Sequence, residues 1–375
     1  MAAPPPQRHR LSSPPVLERL HDDLIAAEIL ARVPPDDPAL LLRAAATCRS
    51  LRGLLADRAF LRRHRDLHGG AAPMLGFVFN DNNPDAARFV PTSSFRPRTP
   101  DHADLVALDA RHGRVLLYRS DELSFPKALV VWNPITDQQR ELPFPKVDFI
   151  YWNAAVLCAA AARGSCDHLG CCNGGPFLIA FVGSTCEGIA FASTYSSEAA
   201  AWSDTINGVE PNIFPQNEKP AALVGNKLYF APFQSKDRIL EFDLDHRQLS
   251  SIKPPHGLPS SSVLMPADGG RLGFTGIYGI GPHLILWTRK AGSDGTLAWE
   301  PRIGFDLTGR FYSSQLPPAV VGYAYAESLG AILLRTDAGV LAIDFRTGRN
   351  RRVSRRILNS RFVIPYMSFY TPVLS

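Results

Sequence analysis

The order of apolar and polar residues divides the chain into a short helical stretch and a long β-patterned one. Between Leu24 and Val33 the apolar residues fall at 24, 25, 29, 30 and 33, the spacing of one helix face. Asp22 and Asp23 precede them as N-cap candidates, because a short carboxylate accepts the unpaired first-turn amides. Pro34-Pro35 stops this helix, since proline lacks the amide donor and restrains the residue before it. Asp36-Asp37-Pro38 restarts one, with an acid at the cap and proline in the first turn. Leu41, Leu42, Ala45 and Cys48 continue it as one helix or as a broken pair, and Leu51, Leu54 and Leu55 extend the apolar face. Asp57 is placed to cap a last short helix holding Phe60 and Leu61 among arginines. These apolar side chains exceed what a three-helix unit of this size buries around itself. The stretch is therefore either a cap packed on the rest of the chain or a module that docks a partner.

From Met74 onward, runs of four to six β-branched and aromatic residues alternate with Gly, Pro, Asn and Asp. Arg114–Tyr118, Ala128–Trp132, Phe177–Val182, Lys227–Phe230, Ile239–Phe242, His283–Trp287 and Ala331–Leu334 are such runs, and they predict an all-β region. A weak repeat runs through it. An apolar residue followed by a short polar one ends a strand at Trp132-Asn133, Tyr195-Ser196, Phe242-Asp243, Phe305-Asp306 and Ile343-Asp344, with polar positions 63, 47, 63 and 38 residues apart. The short polar side chain is suited to bond turn amides in an Asx-type turn. Glycines 113, 225 and 330 each open a strand upstream of it. Propeller repeats run about 40 to 50 residues, so the remaining stretch suits about six kelch-like blades; a barrel or sandwich would be shorter and would not repeat this way. Leu75–Phe79 is expected to pair near Arg361–Ile364, closing the ring and hiding sheet edges. The expected fold is mainly β: a disordered Pro-rich tail over 1–15, a small α-helical module over 16–68 and a β-propeller over 69–375.

Composition narrows the classes. The 375 residues are 45% hydrophobic with a net charge of +5, ordinary for a globular protein and too mild to make a nucleic-acid binder by itself. No apolar run reaches the roughly 18 residues of a membrane span. Met1–Pro15 lacks the apolar centre of a secretory signal. A nuclear or cytoplasmic, non-secreted protein is expected, with Cys48, Cys158, Cys166, Cys171, Cys172 and Cys186 as free thiols.

Chemical motifs are sparse. Cys166, His168, Cys171 and Cys172 cluster within seven residues, but there is no Cys-x-x-Cys pair and no second knuckle. They read as a blade-connecting loop, and neither metal nor cofactor is expected. Gly183-Ser184-Thr185 and Ser260–Ser262 lack a nucleophile elbow, and the glycines around 269–281 lack the lysine of a phosphate loop. Seven arginines between Arg346 and Arg361 form a basic run that reads as a solvated surface on a hairpin.

One resemblance bears on the choice between cap and docking module. The order Leu20-x-Asp22-Asp23-Leu24-Ile25…Glu28-Ile29-Leu30…Val33-Pro34…Asp37-x-x-x-Leu41…Thr47-Cys48-Arg49-x-Leu51-Arg52 resembles an F-box. Asp57-x-x-Phe60-Leu61-Arg62-Arg63-His64-Arg65…His68 is similar to the tail seen in large plant F-box families. Val131–Thr136, Glu141-Leu142-Pro143, Ala155–Cys158 and Cys166–Cys171 resemble, less specifically, the β domain associated with them. His21 stands where the family usually has proline, and Leu51 where it usually has tryptophan. The resemblance implies a non-enzymatic substrate-recognition subunit of a cullin-based ubiquitin ligase. Its helices would dock a Skp-family adaptor bound to a cullin scaffold, and its β domain a target protein of unknown identity. Carried over by position, Leu20, Leu24, Ile25, Ile29, Leu30, Val33, Leu41, Cys48 and Leu51 would face the adaptor or support that face. The alternatives are a propeller enzyme, which needs a cluster of acids, histidines or metal ligands at one pocket, and a nucleic-acid-binding propeller using the arginine run.

Overall fold

The computed structural model describes residues 27–82, 85–120, 125–160, 166, 168, 174–208, 213–217, 219–232, 238–255, 262–278, 283–291, 297–306, 323–336, 339–356, 358 and 362–369. They fall into two compact units, one running to Gly70 and the other from Ala71 to Tyr370. No helix among the described residues is long and apolar enough to cross a membrane.

In the first unit residues 27–30 are helical, and α1 (Pro38–Thr47), α2 (Arg49–Ala56) and α3 (Arg58–Leu67) follow. The second apolar stretch is a broken pair. Cys48 is fully extended (φ −154°, ψ 162°), so it ends α1 and caps α2, its Sγ accepting the Leu51 amide at 3.4 Å. Asp57 caps α3 as its position predicts, one carboxylate oxygen accepting the amides of Ala59 at 2.7 Å and Phe60 at 3.2 Å. Leu41, Ala45, Leu55, Phe60 and Leu61 form the small interior. Phe60 and His64 on α3 and His68 at its C-cap lie four apart with their rings in contact. His64 Nε2 donates to the Val33 carbonyl at 3.0 Å and His68 Nε2 to that of Ala31 at 3.1 Å. Two imidazoles thus satisfy carbonyls where the first helical segment ends, groups that a helix leaves without internal partners. Burial outweighs the Val33 hydrogen bond and lowers the His64 pKa below its ordinary value.

The second unit is a six-bladed β-propeller. Its first blade holds β1 (Met74–Asn82), β2 (Asp85–Pro91) and β3 (Asp101–Ala103). The second is β4 (Val106–Arg111), β5 (Arg114–Ser120), β6 (Pro126–Asn133) and β7 (Gln138–Pro143). In the third, β8 (Tyr151–Cys158), β9 (Phe177–Ser184) and β10 (Ala190–Ser196) are followed by an outer edge in two pieces, β11 (Ala201–Trp202) and β12 (Ile206–Asn207), both paired with β10. The fourth comprises β13 (Ala222–Val224), β14 (Lys227–Phe230), β15 (Ile239–Asp243) and β16 (Gln248–Ile252). The fifth comprises β17 (Val263–Ala267), β18 (Arg271–Tyr278), β19 (His283–Ala291) and β20 (Leu297–Asp306). The sixth is β21 (Tyr323–Ala326), β22 (Ala331–Thr336), β23 (Gly339–Asp344) and β24 (Asn350–Ser354). The last strand, β25 (Val363–Met367), returns to the first blade and pairs antiparallel with β1, Phe79 opposite Val363 and Val78 opposite Ile364. This is the closure expected from Leu75–Phe79.

Packing shows that the ring is complete. Each apolar cluster joins two consecutive sheets. Phe89 and Val115 meet between blades one and two, Leu116 and Phe181 between two and three, and Val182 and Phe242 between three and four. Ile252 meets Phe274 between four and five, Leu286 meets Ile332 between five and six, and Leu333 meets Phe77 between six and one. A sheet buried on both faces reads as continuous apolar runs such as Leu129–Trp132, whereas β7, at the rim, reads Gln138–Glu141. Tyr366 of β25 donates its buried hydroxyl to the Gly113 carbonyl at 3.1 Å, tying the closing strand to blade two.

The repeat has a single local cause in four blades. Asn133 Oδ1 accepts the amides of Ile135 and Thr136, Asp243 Oδ1 those of Asp245 and His246, and Asp344 Oδ1 those of Arg346 and Thr347. In blade three Ser196 Oγ accepts from Ala199. The fourth residue after each polar one is left-handed: Asp137 (φ 60°), Ala200 (φ 52°), Arg247 (φ 51°) and Gly348 (φ 64°). Phe305-Asp306 is a correction to the repeat. It ends β20, the fourth strand of its blade, because the same dipeptide pattern arises at any buried strand end and does not mark which strand it is.

Tyr366→Phe leaves the buried Gly113 carbonyl without its donor and should cost about 1–2 kcal/mol, read as a lower midpoint in chemical unfolding; an unchanged midpoint would show the bond adds nothing. Ala200→Gly relieves a left-handed alanine on an exposed turn and should stabilise by up to about 1 kcal/mol, whereas Gly348→Ala should destabilise. His64 favours the neutral form when folded. Its contribution is therefore fully present above the unfolded value of about 6.5 and is lost as pH falls from there through the lowered folded value. Melting of the helical unit, followed by proteolysis within residues 27–67, should become easier between pH 7 and 5, with a shallower dependence in His64→Gln.

Candidate functional site

The helical unit presents apolar surface out of proportion to its size. Leu20, Leu24 and Ile25 lie outside the described residues. Ile29 is 62% exposed, Leu30, Val33 and Leu51 are partly buried, and Cys48 is exposed as a helix cap. Leu41 is packed inside and supports the unit from within. Leu40, Leu42 and Leu67, which the residue pattern did not single out for the surface, are exposed as well. Leu40 and Leu42 flank buried Leu41, so a run of three leucines necessarily turns two of them outward on a helix. Half of the eight large exposed apolar side chains among the described residues belong to this one unit.

On the propeller, alternate connections of an antiparallel blade emerge at the same end. One face therefore gathers the inner-to-second connections and the third-to-fourth turns. The β4–β5 hairpin turns on His112 (φ 52°) and Gly113 (φ 75°), the two left-handed residues of a type I′ loop. Between blades two and three this face holds a cleft of about 510 Å³ bordered by Arg114, Asn133, Arg140, Phe177, Ser197 and Glu198. Arg114 is nearly buried and donates to the Gly175 carbonyl. Its guanidinium and that of Arg140 each lie 5.6 Å from the Phe177 ring centroid. Arg140, exposed at the mouth, also reaches the Ser197 carbonyl at 3.3 Å and the Tyr195 hydroxyl at 3.4 Å. Two cations against one aromatic ring suit an anionic or aromatic side chain of a partner. A smaller cleft of about 370 Å³ between blades three and four carries Lys227, Glu241, Asp243 and Arg247. Glu241 accepts from Lys227 Nζ at 2.7 Å and raises that lysine's pKa.

Next to the larger cleft, Cys158, Cys166 and His168 bring their ligand atoms within 4.8 Å of one another. Cys171 and Cys172, which the sequence groups with them, lie outside the described residues. Cys158, at the end of β8, was not part of that group, because it stands eight positions before Cys166 and a linear reading hides the approach that the strand end creates. His112 from blade two stacks on His168 with centroids 4.1 Å apart and planes 6° apart, and its Nδ1 accepts the Cys158 amide at 3.1 Å. Burial, foremost, then His168, Arg111 and Arg114 push the His112 pKa down to about 2, so it is neutral.

The basic run occupies the turn before β24, that edge strand itself and the residues after it. Arg346, Arg349, Arg351, Arg352, Arg355 and Arg356 are exposed, and Arg361 lies outside the described residues. Charges on an unpaired edge discourage pairing with another sheet. Arg356 also lies 5.1 Å from the Phe79 ring centroid, beside the closing strand pair.

No protein-family model matches the chain, and no curated protein does. Among solved structures it is similar to the extracellular domain of a protein described as a hybrid two-component system from B. thetaiotaomicron, at 13% identity and a TM-score of 0.36 over 68% of this chain. The chain spans 28% of the length of that protein. It is also similar to the hydrazine synthase of Kuenenia stuttgartiensis, at 10% identity and a TM-score of 0.39, over 73% of this chain and 78% of the other. The propeller architecture rests on the chain's own strand pairing and ring packing.

Proposed function

We propose that this protein is a substrate-recognition subunit of a cullin-based ubiquitin ligase, itself without catalytic activity. The helical unit docks a Skp-family adaptor, and the propeller binds a target protein at the face carrying the Arg114–Phe177–Arg140 cleft. The observation that carries this reading is Ile29. It stands at a position that the F-box resemblance assigns to the adaptor face, and it is 62% exposed in a unit that also exposes Leu40, Leu42 and Leu67. Burying one such side chain in an interface is worth about 1.5–3 kcal/mol. Exposed apolar area on a small unit marks an interaction surface.

The test is co-purification of the full chain with a Skp-type adaptor. Ile29→Asp should weaken binding by about 2 kcal/mol or more, roughly 30-fold, as expected of a hot spot. Leu297→Asp, a change at a comparably exposed apolar residue of the propeller rim, should leave it unchanged. Wild type that does not bind, or an Ile29→Asp protein that stays folded and binds as well as wild type, refutes the reading.

A further inference from the structure

Cys158 and Cys166 place their sulfurs 3.7 Å apart. That is far beyond the roughly 2.05 Å of a disulfide. It is close to the edge of a tetrahedron around zinc, since two Zn–S bonds of about 2.3 Å at the tetrahedral angle hold their sulfurs about 3.8 Å apart. His168 supplies a ring nitrogen within 4.8 Å of both sulfurs. Its backbone amide donates to the Cys166 Sγ at 3.3 Å, which holds that sulfur beside the imidazole's own backbone. We propose that Cys158, Cys166 and His168 are a zinc site that clamps the connection leaving β8 to the end of that strand.

Two thiolates and an imidazole are soft, neutral-to-anionic donors that select zinc over magnesium or calcium. The described residues supply three of the four ligands of a tetrahedral site. The surroundings hold the ligands in place. Cys158 is 2% exposed, so its sulfur is fixed by packing and not by solvent. His112 reaches across from blade two, accepting the Cys158 amide and stacking on His168, so one imidazole orients two of the three ligand residues. Gly174 and Gly175 at the end of the same connection, and Phe177 at the start of β9, border the larger cleft, and Gly175 is held by Arg114. Metal binding here needs neither an adaptor nor a target protein and is independent of the ligase reading.

The experiment is titration of the reduced full-length chain with Co²⁺, followed by Zn²⁺. Saturation at one cobalt per chain is expected, with a near-ultraviolet thiolate-to-cobalt band and visible bands of tetrahedral intensity, all bleached by zinc. Cys158→Ser and Cys166→Ser should each remove about half of the thiolate band, one of two sulfurs. His168→Ala should weaken cobalt binding at least about 10-fold. Cys186→Ser, at an exposed cysteine outside the cluster, should change nothing. Zinc should raise the melting temperature of wild type and not of Cys158→Ser. A wild-type spectrum without a thiolate band overturns the proposal, however the variants fold. So does a band that keeps its full intensity in both Cys158→Ser and Cys166→Ser and is lost in a Cys171→Ser, Cys172→Ser double variant.

Discussion

The pairing of β25 with β1 is the interaction on which the propeller depends. It joins Met74 to Met367 and turns a row of sheets into a ring. Closing a loop of that length costs on the order of 5 kcal/mol in chain entropy, a cost that grows only slowly with length. Burial at the seam offsets it. Phe77, Phe79 and Val363 pack against Leu333 and Ala342 of blade six, and Tyr366 packs against Phe89 and Trp132 of blade one and blade two. Burying each large side chain is worth about 1.5–3 kcal/mol. Without the seam, two clusters would lose one wall and two sheet edges would lie open.

Given a closed ring, the face that carries the larger cleft follows from local turn chemistry. The same polar-residue turn recurs in blades two, three, four and six, and it sends the third-to-fourth connections out beside the hairpins of the inner strands. A rigid scaffold with variable connections on one face is a common platform for recognition. Here the most elaborated connection is the one after β8. It borders the cleft where Arg114 and Arg140 meet Phe177, and it carries Cys166 and His168, which converge on Cys158. The chemistry of the molecule thus concentrates between blades two and three.

The helical unit obeys a different balance. Its interior is a handful of side chains around Leu41, Leu55, Phe60 and Leu61, helped by the His64 and His68 bonds to carbonyls of the preceding segment. Such a small interior leaves Ile29, Leu40, Leu42 and Leu67 outside. In the proposed reading that shortfall is the function: the apolar surface that this unit does not bury is what a partner buries.

Much of the fold was legible in the sequence because it depends on short-range rules. The Asp57 cap, the Pro38 restart, the strand runs and the Asn133, Asp243 and Asp344 turns need only neighbouring residues. The return of the C-terminal strand to Leu75–Phe79 was also readable, since a ring leaves few other places for two terminal strands. The break at Cys48 remained open in the pattern, because an extended residue between two helices leaves no glycine or proline to mark it. The left-handed turn ends at Asp137, Ala200 and Arg247 were hidden for the same reason. The cleft and the approach of Cys158, Cys166, His168 and His112 were decided by tertiary structure alone. His112 lies 46 residues from Cys158, and only the packing of blade two on blade three brings the two together. Local periodicity specifies what each segment is, while side-chain proximity across blades depends on how whole sheets pack, which no short window of sequence contains.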